Sequence, residues 1–110
     1  MANNIDWAKL VTAEQRAAHV AATLVAAFSS AIQAHIDAKA QEGQYDSLLT
    51  AVTYRDDPNP QFAAEASALF QWRSDVWTYA TSELARVQAG ERTMPTVENI
   101  LTELPEFVWP

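Results

Sequence analysis

The sequence predicts an all-α fold: an antiparallel pair of long helices, two short accessory helices and an extended C-terminal tail. Three observations predict it. Glycine occurs only twice while alanine is abundant, and glycine is costly in a helix where alanine is the best former. Two long segments carry apolar residues at three- and four-residue steps, the helical period. Stop and start residues punctuate the chain at Gly43, Asn59-Pro60, Gly90 and Pro105. Residues 1–110 read as a single helical domain, long enough for a modest core.

The elements follow in order. Residues 1–11 form a lead-in that packs through Ile5, Trp7 and Leu10. Thr12 and Gln15 match a capping box, in which each side chain satisfies an orphan amide. A long helix is therefore expected over 13–41. Its stripe is Val20, Leu24, Phe28, Ile32 and Ile36, flanked by Ala17, Ala21, Ala31 and Ala38. The alanines let a second helix approach closely, inside the fold or between subunits. Gly43 is the residue best able to close this helix in a left-handed conformation.

Asp46 is placed to cap a short helix over 47–52. Asn59 as N-cap and Pro60 as first helical residue open the next long helix, 60–89, which stops at Gly90. Its stripe is Phe62, Ala66, Leu69, Phe70, Val76, Trp77, Ala80, Leu84 and Val87. Arg73 interrupts that stripe, four residues before Trp77, so its guanidinium can lie on the indole face. Pro95 and Thr96 begin a last short helix over 97–103. Pro105 ends it by disfavouring helical geometry in the residue before it. Residues 105–110 are then an extended tail. The expected core is Leu24, Phe28, Ile32, Leu69, Val76, Trp77 and Leu84.

Composition narrows the function. The absence of cysteine excludes a disulfide scaffold, a thiolate metal site and a Cys nucleophile together. No secretory signal is visible in Met1-Ala-Asn-Asn-Ile-Asp, and the apolar run from Val20 to Phe28 is too short for a membrane span. The net charge of -7 is unevenly placed. Residues 1–43 hold four acids against three bases, and residues 44–110 hold ten acids against four arginines. Nucleic acid and anionic membranes would meet repulsion. The plain reading of this acidity is solubility.

The sequence carries no recognisable catalytic pattern. His19 and His35 lie sixteen positions apart on one expected helix, about 24 Å along its axis, so they share no metal within one subunit. Glu14, Asp37, Glu65, Glu83, Glu98 and Glu103 lack the Glu-x-x-His partner of a di-iron bundle. Asp56-Asp57 is turn chemistry. Two glycines cannot build a phosphate loop, and no serine sits in a Gly-x-Ser-x-Gly elbow. The expectation is a non-enzymatic protein with no cofactor and no metal.

The aromatics carry the one positive signal. Nine of the eleven Phe, Trp and Tyr residues lie between Tyr45 and Trp109. An aromatic stripe at helical spacing is more often core than pocket. Trp72, Tyr79, Phe107 and Trp109 exceed what a two-helix hairpin needs, and Trp and Tyr are enriched at interface hot spots. These four are the candidate partner-binding residues. The tail, being short, must dock. It does so either on its own hairpin or on a partner.

The order of these residues resembles a known family. Tyr45-Asp46-Ser47, Thr53-Tyr54, Asn59-Pro60, Ala64-Glu65-Ala66, Phe70-x-Trp72-Arg73-x-x-Val76-Trp77-x-Tyr79, Gly90, Pro95-Thr96, Glu103-Leu104-Pro105 and Trp109-Pro110 carry the likeness. They resemble small proteins and C-terminal domains encoded beside tail-fibre genes in tailed phages and prophages, over about residues 20–110. The resemblance implies phage tail context: a tail-fibre assembly chaperone or minor tail component, in the bacterial cytoplasm during assembly or in the virion. It implies a tail-fibre or other tail protein as partner and no catalytic residues. A homo-oligomer, most simply a dimer, is also expected from the alanine-lined helix and the surplus aromatics. Two other classes stand beside this one. An acidic regulator that mimics nucleic acid would need carboxylates spaced like phosphates over one face, and here they are dispersed. A small-molecule site would need converging polar groups, and the sequence names none.

Overall fold

A computed structural model of the chain describes residues 2–110, with side chains at 13, 15, 16, 18, 19 and 21–110. Among the described residues there are four helices and no strand. They are α1 (Ala2–Glu42), α2 (Leu48–Val52), α3 (Pro60–Gln88) and α4 (Val97–Glu103). The all-α expectation holds, with two long and two short helices.

The start of the first helix differs from the sequence reading. Residues 2–11 are not a separate lead-in but the opening turns of α1, and the helix runs straight through Thr12. A capping box acts only where the preceding backbone leaves the helix, and no Gly or Pro precedes Gly43 to force that exit. The proposed packing of Ile5, Trp7 and Leu10 lies outside the described side chains.

The end of α1 holds a second difference. The left-handed residue is Gln44, at φ 72°, and not Gly43. Tyr45 N–H donates to the Ala40 carbonyl at 3.2 Å and Gln44 N–H to the Gln41 carbonyl at 3.0 Å. These are the two bonds of a Schellman motif with Gln44 in the place usually given to glycine. Gly43 serves another purpose. A Cβ there would lie 2.9 Å from Cζ3 of Trp109, and closer still to Cη2. The glycine makes room for the C-terminal indole.

The remaining ends follow local chemistry. Ser47, one residue later than expected, caps α2 by accepting from Thr50 N–H at 3.2 Å. Asn59 Oδ1 accepts from Gln61 and Phe62 N–H, with Pro60 opening α3. Gly90, at φ 75°, closes α3, and Glu91 N–H reaches back to the Arg86 carbonyl at 2.9 Å. Thr96 caps α4 by accepting from Asn99 N–H at 3.1 Å. Leu104 then turns extended before Pro105, as the proline requires.

The chain divides into two compact units, 1–30 and 31–110. The first unit belongs to α1 over residues 2–30. Of its described side chains, Phe28 is half-buried and the others are exposed. The second unit holds the core. Ile32, Ile36 and Ala40 of α1 meet Tyr45, Leu48 and Ala51, then Leu69, Trp72 and Val76 of α3, with Leu104 closing the cluster. Each fully buried Ile, Leu or Val contributes about 1.5–3 kcal/mol. His35 lies beside Trp72, and Tyr45 is bonded to Glu65. The two long helices pack together through this cluster.

Ile32, Leu69 and Val76 are buried as expected. Leu24 is not, at 40% exposure, while Phe28, Trp77 and Leu84 are half-buried. The core is displaced along α1 by about two turns and rotated on α3. The buried face of α3 is Ala66, Leu69, Trp72, Val76 and Glu83, not the Phe70–Trp77–Leu84 face. The rotation is set by α4 and the tail, which lie over the Trp72 side and were not placed by the sequence.

Candidate functional site: an aromatic clasp and an open groove

Trp72 is the centre of the C-terminal architecture. It is only 4% exposed. Its indole N–H donates to the Pro105 carbonyl at 2.7 Å, across 33 positions of sequence. A buried Trp needs a partner for its one polar atom, and the chain reversal at Pro105 supplies it. Phe107 then packs on Trp72 with ring centroids 5.2 Å apart. Trp109 meets Phe107 edge-on at 4.8 Å and covers Gly43. His35 of α1 also lies beside Trp72, with ring centroids 6.0 Å apart. The tail thus folds back across both long helices of its own chain.

A polar network locks the other end. Tyr79 O–H donates to Glu103 Oε1 at 2.6 Å, linking α3 to α4. Arg92, in the loop between them, donates to Glu103 Oε2 at 2.6 Å and to Glu83 Oε2 at 2.7 Å. Arg86 adds longer bonds of 3.2 Å to both oxygens of Glu83. Hydrogen bonding from Arg92 holds both carboxyls below the usual 4.5, and Tyr79 assists at Glu103. The same Glu103 bond raises the Tyr79 phenol. At the opposite end, Tyr45 donates to Glu65 Oε1 at 2.8 Å. Burial first, and that carboxylate second, push the Tyr45 phenol up to about 12.

Of the four candidate partner-binding residues, Trp72, Phe107 and Trp109 are joined in one clasp within the chain, and Tyr79 is bonded apart from them to Glu103. Trp72 is buried, Phe107 packs on it, Trp109 packs on Phe107, and Tyr79 is spent on Glu103. The tail docks on its own hairpin, so Trp72 is not an exposed contact. What the tail leaves free is Val108, at 79% exposure between its two docked neighbours.

An open groove of about 400 Å³ runs along the opposite face of α3, lined by Phe70, Arg73, Ser74, Trp77, Thr78 and Thr81. Phe70 is 41% exposed. Arg55 lies over the Phe70 ring with its guanidinium carbon 4.1 Å from the centroid. Among the described residues this is the cation–π contact, in place of the Arg73–Trp77 pair expected from spacing. The groove offers two aromatic faces, one cation and three hydroxyls. Nothing converges on a reacting atom, and an open helix face suits a polypeptide better than a small molecule.

The residues missed by sequence reasoning are Gly43, Phe70 with Arg55, and the Glu83–Arg92–Glu103 bridge. Glu83 carried a readable signal. It sits seven residues beyond Val76, at an apolar position of the buried face, and a carboxylate there needs a cation. Among the described residues no group of three or more His, Cys, Asp or Glu is placed to hold a metal, and no helix is long and apolar enough to cross a membrane. No family model matches the chain, and no curated protein or solved structure matches it.

Proposed function

We propose that this chain is a non-enzymatic component of a phage or prophage tail module. It acts by protein–protein contact, as a tail-fibre assembly chaperone or a minor tail component, in the bacterial cytoplasm during assembly or in the virion. The observation that carries this reading is where the resemblance residues fall. Trp72, Pro105 and Trp109 of the family-like pattern are the parts of one clasp. Phe70, Arg73 and Trp77 of the same run line the open groove. One sequence pattern thus supplies both a rigid scaffold and an accessible aromatic face. Aromatic residues and arginine are the side chains that dominate protein contacts. The contact face proposed is therefore Phe70, Arg73 and Trp77, with the clasp holding that face in place.

The test is co-expression with the fibre protein encoded next to it, followed by pull-down. The intact chain is expected to retain the fibre protein. Phe70→Ala combined with Arg73→Ala is expected to lose it while the helical spectrum is unchanged. Retention by that variant, or no capture by the intact chain, overturns the reading.

A further inference from the structure

We propose that the Ala2–Ser30 part of α1 is a self-association helix that pairs with the same segment of a second copy. The inference rests on the first unit alone and is independent of the tail-module reading.

A helix of this length draws most of its stability from packing an apolar face, because propensity alone leaves isolated helices marginal in water. Among the described residues the chain's own core begins at Ile32. Before it, Leu24 and Val25 are 40% and 39% exposed, and Phe28 is half-buried. These large side chains are not scattered. Ala21, Leu24, Phe28 and Ala31 alternate steps of three and four, and the sequence continues the register backward through Ala17, Glu14, Leu10 and Trp7. That is a heptad seam of more than three repeats, the pattern by which one helix recognises another. The alanines at 17, 21 and 31 allow a close approach.

Charge selects the occupant. From Ala17 to Ile36 there is no Asp, Glu, Lys or Arg. Residues 1–36 balance Asp6 and Glu14 against Lys9 and Arg16, so the whole net charge of -7 resides in residues 37–110. Two copies would repel one another over most of that acidic part. The Ala2–Ser30 part of α1 is where they can meet without net like-charge repulsion, and its seam, apolar except at Glu14, is complementary to itself. An antiparallel pairing also separates the two copies of Glu14, the one charged seam position. The area suffices. A stripe of about 100° along a helix of about 43 Å covers roughly 500 Å². Two such stripes bury about 1,000 Å², the lower bound for a specific interface.

The experiment is sedimentation equilibrium on the purified full chain, with Leu24→Glu/Phe28→Glu as the variant and thermal unfolding as the control. The intact chain is expected to be dimeric at micromolar concentration. The variant is expected to dissociate at least about tenfold more readily, with the unfolding of the 31–110 core unchanged because both residues lie outside it. A second variant, Ala26→Glu, alters the same helix off the seam and is expected to stay dimeric. A monomeric intact chain at high concentration overturns the proposal, whether or not another protein binds the helix. So does a Leu24→Glu/Phe28→Glu variant that dimerises as tightly as the intact chain.

Discussion

Replacing Gly43 by alanine probes the clasp with a single methyl group. The added Cβ would fall 2.9 Å from Cζ3 and 3.1 Å from Cζ2 of Trp109, closer than carbon atoms approach one another. The backbone at Gly43 is tied by its N–H to the Ala40 carbonyl at 3.0 Å, so the indole must give way. Unseating a half-buried Trp forfeits roughly 1–2 kcal/mol of apolar burial. Loss of its edge-on contact with Phe107 adds about 0.5–1.5 kcal/mol. Opposing this, Gly→Ala restricts the unfolded chain and returns about 0.4–1 kcal/mol. The expected net effect is a destabilisation of about 1–2.5 kcal/mol, a fall in the unfolding midpoint of roughly 5–15 °C. Thermal unfolding followed by far-ultraviolet circular dichroism measures it. The decisive arm is a double-mutant cycle with Trp109→Ala. With the indole gone, Gly43→Ala is expected to be neutral or slightly stabilising. If Gly43→Ala costs nothing in the intact chain, or costs the same without Trp109, the docking of the tail on α1 is wrong.

Three further outcomes are expected. Gln44→Gly relieves a left-handed residue and should stabilise the chain by up to about 1 kcal/mol in denaturant titration, against the usual cost of added glycine. Arg92→Gln removes the cation that lowers Glu83 and Glu103. Carboxyls lowered in the fold contribute stability above pH 4.5 that fades as pH falls through their folded values. The variant should therefore be less stable than the intact chain at pH 7, with the gap closing in acid. Tyr45 is raised from 10.0 to about 12, so its contribution is complete below pH 10 and is lost as pH rises toward 12. Ultraviolet titration of the phenols should show one tyrosine ionising near pH 12 that moves toward 10 in Glu65→Gln.

Much of the fold was readable because it is written in short-range chemistry. Asn59-Pro60, Gly90, Thr96 and Pro105 each act on backbone within four residues, and the boundaries of α3 and α4 followed from them to within a residue. The beginning of α1 was misread because Thr12 and Gln15 look the same inside a helix as at its start. The errors in the core have a tertiary origin. Trp72 and Trp77 are both compatible with helical spacing, and only the return of the chain at Pro105 decides which is covered. The same long-range contact explains Gly43, whose importance comes from an indole 66 positions away. The candidate residues Trp72, Tyr79, Phe107 and Trp109 stand out in the sequence by their surplus of aromatic area. The surplus is absorbed by the tail folding back on its own chain, a choice that residue type alone left open. The groove at Phe70 and Trp77 was hidden because those residues were assigned to the core.

The most direct test of the clasp is hydrogen exchange at the indole N–H groups, read from a nitrogen-correlated proton spectrum. Four tryptophans give four indole signals, and Trp72→Phe identifies the relevant one. The indole of Trp72 is expected to be strongly protected, because it is buried and bonded to the Pro105 carbonyl. Ending the chain at Leu104 should abolish that protection while the helical spectrum persists. A Trp72 indole that exchanges freely in the intact chain, or one whose protection survives removal of residues 105–110, would contradict the clasp.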